Sequence, residues 1–416
     1  RTIQSGISTE YEKNRMWNKI ADPSGNLPRH SPLINKEYSL DKETYSFSKK
    51  WDQMWEENDN GLRATFGSTS KKRLYQLQEV KVTQKLNQLD NLEFYYFGEK
   101  SLDADRDYAV FTLDHKKATN PNFHAFYSIA PVFLKQDIDM EFGGGYEVNK
   151  SKMWQVSLFC LDVFNNLVYS WGEDEEGKSQ KYVRQPWGIK FDSEWEFNPK
   201  TRGHFLGLGE SKWKQDVEYS SDDDLSYVTK GSNAYWGFSV ERDLSDNSTL
   251  GLKYMGEEEK RSKKHLASTN SDLDYNYRLT INSIELYFLH ALSERTRIEI
   301  SGKYLQDLEE KDYPHDEDFN YEYNKSNLLP GIIWQLDVSG NVTLELGYYR
   351  DDMKEQWNYH YNSSLDDIEQ GEENRLQMGV EYRYNPNVLF KFKTALDLDS
   401  RDQLYDKGNF QVMILW

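Results

Sequence analysis

The chain has 416 residues, with 51 basic against 70 acidic side chains and a net charge of −19. That balance excludes a general nucleic-acid binder, which needs a basic footprint to displace counterions from phosphates. Hydrophobic residues make up only 37% while aromatics reach 15%, at a mean hydropathy of −0.89. There are too many rings for a disordered acidic chain and too little aliphatic material for an ordinary compact core, so a sheet that is apolar on one face fits best. The sequence holds no apolar run long enough for a membrane helix, which needs about 18 residues or more. A membrane strand leaves no such run, because only every second residue meets lipid.

The chain begins at Arg1 without a visible leader, as expected once a secretory signal has been removed. Residues 1–59 do not alternate, and Pro23, Gly25, Pro28 and Pro32 mark an irregular segment. Phe47, Trp51, Met54 and Trp55 recur at helical spacing after the candidate caps Asp41 and Thr44, which gives a candidate short helix over 44–57.

From residue 60 onward apolar and polar residues alternate with the period of two that marks a strand with unlike faces. Strands are expected near 60–68, 73–86, 92–100, 107–115, 123–135, 138–148, 153–164, 185–197, 203–216, 232–243, 249–260, 277–292, 297–309, 326–336, 342–354, 373–384, 388–400 and 407–416. The run Phe142-Gly143-Gly144-Gly145-Tyr146 marks a bulge, or a place where a backbone or ligand comes close. The pattern is clearest in Leu376, Met378, Val380, Tyr382 and Tyr384, the turn Asn385-Pro386-Asn387, then Val388, Phe390 and Phe392. Tight turns at 198–201, 244–249, 293–296, 338–341 and 385–387 recur at roughly 47 residues. Polar stretches expected as long loops fall between them, over 172–180, 220–224, 257–274, 308–320 and 351–372.

The chain ends in Phe410, Val412, Ile414 and Trp416, alternating positions with an aromatic last. Together with short turns alternating with long loops, this resembles the Gram-negative outer-membrane β-barrel class, whose last strand usually ends in Phe rather than Trp. The resemblance covers about 60–416 and implies an all-β, antiparallel up-and-down transmembrane barrel in the cell outer membrane, with tight periplasmic turns and long outer loops. Eighteen strands are expected, with sixteen the competing count. Trp187, Trp195, Phe197, Trp236, Trp334, Tyr382, Tyr384 and Trp416 are the expected lipid-facing or girdle residues. Lys190, Asp192, Glu194, Glu299, Lys303, Arg375, Glu381, Arg383, Lys391 and Lys393 are expected to line the lumen. For residues 1–59, a lumen plug or periplasmic docking element stands against an early strand or packed terminus.

No catalytic or cofactor signature is present. His124, His204, His290 and His360 are read as polar surface or interior residues, and the chain as no enzyme. Asp316 and Asp318, in His315-Asp316-Glu317-Asp318, and the run Asp222-Asp223-Asp224 are weak candidates for loop-bound Ca²⁺ or Mg²⁺. Cys160 stands alone, so there is no disulfide framework or haem-attachment motif, and any haem would belong to a partner. Expected partners are outer-membrane lipid and lipopolysaccharide, the barrel-assembly machinery through the last strand, and a candidate periplasmic or lumen protein. The first functional expectation is a conduit for hydrophilic solutes or an exported polymer, with an acidic lean toward cations. The alternatives are a sheath around a partner such as a multihaem cytochrome, and an adhesin or receptor acting through acidic loops.

Overall fold

A computed structural model describes residues 55, 58–69, 74–101, 105–117, 120–129, 138–149, 152–161, 163, 178–184, 187–219, 226–315, 320–359, 367–400 and 405–416. The strands are β1 (Gly61–Thr69), β2 (Leu74–Lys85), β3 (Asp90–Ser101), β4 (Asp105–Lys117), β5 (Asn120–Ile129), β6 (Ile138–Asn149) and β7 (Lys152–Leu161). Next come β8 (Lys178–Arg184 and Trp187–Asn198) and β9 (Thr201–Glu210 and Trp213–Tyr219), each interrupted once. The series continues with β10 (Tyr227–Ser245), β11 (Ser248–His265), β12 (Tyr275–Ala291), β13 (Thr296–Asp312) and β14 (Tyr321–Ser339). It ends with β15 (Val342–Tyr359), β16 (Asp367–Asn385), β17 (Val388–Asp397) and β18 (Tyr405–Leu415).

Each strand pairs antiparallel with the next, and β1 pairs with β18 from Gly61↔Leu415 to Thr69↔Lys407, which closes the sheet. Among the described residues the barrel therefore has 18 strands. Closure satisfies the edge amides that an open sheet would leave bare, an absolute requirement where no water is present. The upper halves of β8 and β9 pair with each other and the lower halves do the same, so each remains one stave of the wall. At the break Ser211 ties the staves together, its amide donating to the Trp187 carbonyl at 2.7 Å.

The faces of the wall are reversed relative to a water-soluble sandwich. Ile284, Leu286, Ile300, Ile332, Leu346, Val380 and Phe392 point outward and are exposed, whereas Glu299, Lys311, Lys325, Arg375 and Lys391 point inward and are buried. An exposed apolar belt of this size is stable only against lipid, so the barrel spans a membrane. Both ends of the barrel chain lie with the tight turns at one rim, where the Trp416 amide donates to the Asn60 carbonyl at 3.3 Å.

Four of the stretches expected as loops are corrected, the first because residues 178–180 belong to β8. Residues 257–265 belong to β11, 308–312 to β13, and 351–359 and 367–372 to β15 and β16. β10 to β16 each run 17–19 residues. Crossing the hydrocarbon takes about 9–11, so this side of the barrel stands well above the bilayer. Its polar upper halves keep both faces wet, which looks like loop composition to a pattern reader. Residues 172–177 and 220–224 lie outside the described residues, as does the candidate helix over 44–57 apart from Trp55.

The glycine run in β6 carries no bulge at its centre, since Gly143, Gly144 and Gly145 keep a regular register with Ala125 and His124 on one side and Val156 on the other. What approaches is a pair of rings: a Cβ at Gly143 would collide with Phe126, and one at Gly145 with the His124 imidazole. The glycines admit bulky inward side chains from β5.

Candidate functional site

The inward wall carries the ionised side chains, and the sheet register decides which of them meet. On β6 to β9 the anchor is Glu141. Lys190 Nζ lies 2.5 Å from its Oε1, and Ser157 Oγ donates to the same oxygen at 2.5 Å, with all three side chains buried. Beside them Asp192 Oδ1 and His204 Nε2 are 2.7 Å apart and also buried. Charges so far from water persist only when paired and hydrogen-bonded. Glu194 is half-buried on the same face, opposite His204.

On β13 to β17 acidic and basic side chains share the inward face. Glu299 is buried on β13, Glu345 on β15 and Glu381 on β16, while Lys391 and Lys393 are buried on β17. Glu345 and Lys393 pass over Gly379, whose missing side chain leaves them room: a Cβ there would sit 3.4 Å from Glu345 and 3.5 Å from Lys393. Gln377 Nε2 donates to Glu345 at 2.5 Å. Arg375 bridges Asp397 and Glu373, each at 2.9 Å. Lys303 is half-buried on the inward face of β13, and Arg383 sits near the tight turn with its amide donating to the Asn341 carbonyl at 2.8 Å.

Outside, Trp187, Phe197, Trp334, Tyr382, Tyr384 and Trp416 are exposed. Trp195 and Trp236 lie on the same outer face but are half covered, Trp195 by Phe197 at 5.9 Å between ring centroids. Asp316, Asp318, Asp222, Asp223, Asp224 and His360 lie outside the described residues. His290 Nδ1 is 2.9 Å from Ser248 Oγ at the tight-turn rim, and His124 is enclosed by β6.

Two features escaped the pattern reading. One is Glu141, a strand position away from the glycine run, whose parity with Gly143 and Gly145 would have placed it inward. The other is Trp55. Its ring is buried among Leu389, Met413 and Leu415 at the tight-turn end, beneath the Arg63 guanidinium at 5.1 Å. Arg63 is in turn held by Glu79 at 2.5 Å, and Tyr95 donates to the same carboxylate at 2.7 Å. Spacing alone marked Trp55 as helical but gave no hint that its partners lie more than 300 residues away in sequence.

At that same end a cavity of about 680 Å³ opens between the turns after β8, β10 and β12. Its charged lining is Asp243, Asp246, Glu299 and Glu381 against Lys200 and Arg297. Arg297 is engaged with Asp337 at 2.8 Å and Asp243 with Arg202 at 3.7 Å, which leaves Asp246, Glu299 and Glu381 facing Lys200. A cavity lined in this way focuses the field of its charges between low-dielectric walls.

The chain matches no protein-family model and no curated protein. Among solved structures it is similar to OccK10 (OpdN) of Pseudomonas aeruginosa, at 9% identity and a TM-score of 0.41, covering 86% of this chain and 98% of that one. It is also similar to the outer membrane protein OprD of Pseudomonas aeruginosa, at 10% and 0.40 over 86% and 92%. A third likeness is to a bacterial polysaccharide outer membrane secretin, at 9% and 0.38 over 86% and 99%.

Proposed function

We propose that this barrel sits in a bacterial outer membrane and is a passive conduit for hydrophilic solutes, with a lean toward cations. The observation that carries the reading is the reversal of faces: an apolar belt outside, and inside a wall of ionised groups leading from an acidic mouth. A barrel of 18 strands is in the size class that encloses an aqueous channel. The excess of carboxylates at the mouth favours cations over anions, because fixed charge raises the local concentration of the opposite sign. On this reading the tight turns face the periplasm, the tall wall of β10 to β16 faces outside, and the lipid of both leaflets is the barrel's first partner. The transport step asks nothing of a catalytic group, a metal or a haem of the chain's own. The last strand, from Tyr405 to Leu415, would serve as the assembly signal.

The test is a planar-bilayer recording of the purified chain in a salt gradient. Steady conductance with a reversal potential toward the cation side is expected. A silent barrel, or one that prefers anions, would refute the channel or its selectivity respectively.

A further inference from the structure

The outward face of the wall changes character where β8 to β12 rise above the apolar belt. On β10 that face reads Phe238, Trp236, Ala234, Ser232 and Lys230, and on β11 Leu252, Tyr254, Gly256, Glu258 and Lys260. On β12 it reads Leu286, Ile284, Asn282, Thr280 and Arg278. Lys230, Lys260 and Arg278 thus stand six residues above Trp236, Tyr254 and Ile284, where the belt ends. At about 3.3 Å per residue and a tilt of about 40°, that is roughly 15 Å above the hydrocarbon.

The register sets bases against bases. Arg184 on β8 pairs with Lys214 on β9, Lys214 with Lys230 on β10, and Lys260 on β11 with Arg278 on β12. Lys264 joins them on the same face of β11, opposite Val228, and all six side chains reach solvent. Like charges directly opposite each other destabilise a sheet. The acids of this sector offset only part of that repulsion: Asp216 holds Lys214 at 3.2 Å, Glu258 is shared by Lys260 at 3.0 Å and Arg278 at 2.8 Å, and Glu218 is the third. Among the described residues Arg184, Lys230 and Lys264 make no ion pair. The neighbouring sector has the opposite sign, with Glu310, Asp312, Glu322, Asp352 and Glu372 against Arg350 and Lys354 on the outward face of β13 to β16. Bases gathered on one side of a chain of net charge −19 point to an anionic partner.

The height of the row selects the anion. The headgroup layer of a phospholipid adds only about 5–8 Å to each side of the hydrocarbon, so its phosphate lies below these bases. Charge at their level belongs to a lipid that carries it on a sugar head. We propose that the row from Arg184 to Arg278 is a docking surface for the phosphorylated sugar head of lipopolysaccharide, whose phosphate oxygens bridge facing bases such as Lys214 and Lys230. The choice of lipid rests on the outer-membrane orientation proposed above and not on the channel.

The test is binding of labelled lipopolysaccharide to the folded full chain in detergent, a measurement that depends neither on where the barrel resides nor on whether it conducts. The double variant Lys214→Gln with Lys230→Gln should bind roughly tenfold more weakly than the wild type, as for the loss of two exposed ion pairs. Lys354→Gln, in the acidic sector, should bind as the wild type does. Lipopolysaccharide stripped of its phosphates, and phosphatidylglycerol in mixed micelles, should not distinguish the double variant from the wild type. Equal affinity of the two for intact lipopolysaccharide would overturn the docking surface, and the same loss in Lys354→Gln would reduce it to an effect of net charge. Discrimination that survives removal of the phosphates would overturn phosphate as the ligand, and an equal loss with phosphatidylglycerol would overturn the sugar-headed lipid. Binding by a barrel that is silent in bilayers would keep the surface and refute the channel alone. Should the double variant lack the heat-modifiable band of a folded barrel, Lys230→Gln supplies the same comparison.

Discussion

Lys190 and Glu141 show how a single side chain is held in this wall. Each is almost fully withdrawn from water, and they lie 2.5 Å apart. Removing one partner strands the other charge, so Lys190→Met should cost about 3–5 kcal/mol of folding free energy. The double variant Lys190→Met with Glu141→Gln should recover most of that loss. Urea unfolding from lipid vesicles, followed by tryptophan fluorescence, reads both, and a neutral single variant would show that the pair is hydrated. Trp55 makes a different kind of contact, filling space among Leu389, Met413 and Leu415 at the seam where β18 meets β1. Trp55→Ala should cost about 3–5 kcal/mol, the range for deleting a large buried ring.

At the level of the strand, the outer face of β14 sets a depth scale. Ile332 lies mid-strand and Val338 beside the tight turn, and both are exposed. Ile332→Arg should destabilise the barrel by about 2–4 kcal/mol, whereas Val338→Arg at the interface should cost about 0–1 kcal/mol. Equal costs at the two positions would mean that the belt is placed wrongly on the strand. Strand identity was legible from the period of two: each of the eighteen expected segments overlaps one stave. Strand length was not, because the upper halves of β11, β13, β15 and β16 carry charge on both faces. There the hydrophobic alternation stops while the hydrogen-bond ladder continues, and a ladder leaves no mark in composition. The interruption of β9 was invisible for the same reason, since Ser211 bridges it through its backbone amide.

For the whole molecule, the proposed channel function makes the electrostatics of the lumen the deciding property. Four carboxylates against two bases line the mouth, with Arg297 engaged by Asp337. Replacing Glu299 and Glu381 together by Gln should move the reversal potential toward the anion side in a salt gradient; if it does not move, selectivity is set elsewhere along the path. The expected lumen residues were chosen by parity alone, and parity is enough to say that Lys190, Asp192, Glu299, Glu381, Lys391 and Lys393 share one face of the wall. It cannot say that Lys190 meets Glu141, that Glu345 and Lys393 cross over Gly379, or that Trp55 reaches Met413, because those contacts depend on register between strands far apart in sequence. By itself the sequence determined a two-faced antiparallel sheet of strands joined by alternating short turns and long connections, since alternation and turn spacing are local properties of the chain. The tertiary structure decided the height of each stave, the pairing of the charges and the filling of the mouth, since these follow from stagger and closure, which no local window contains.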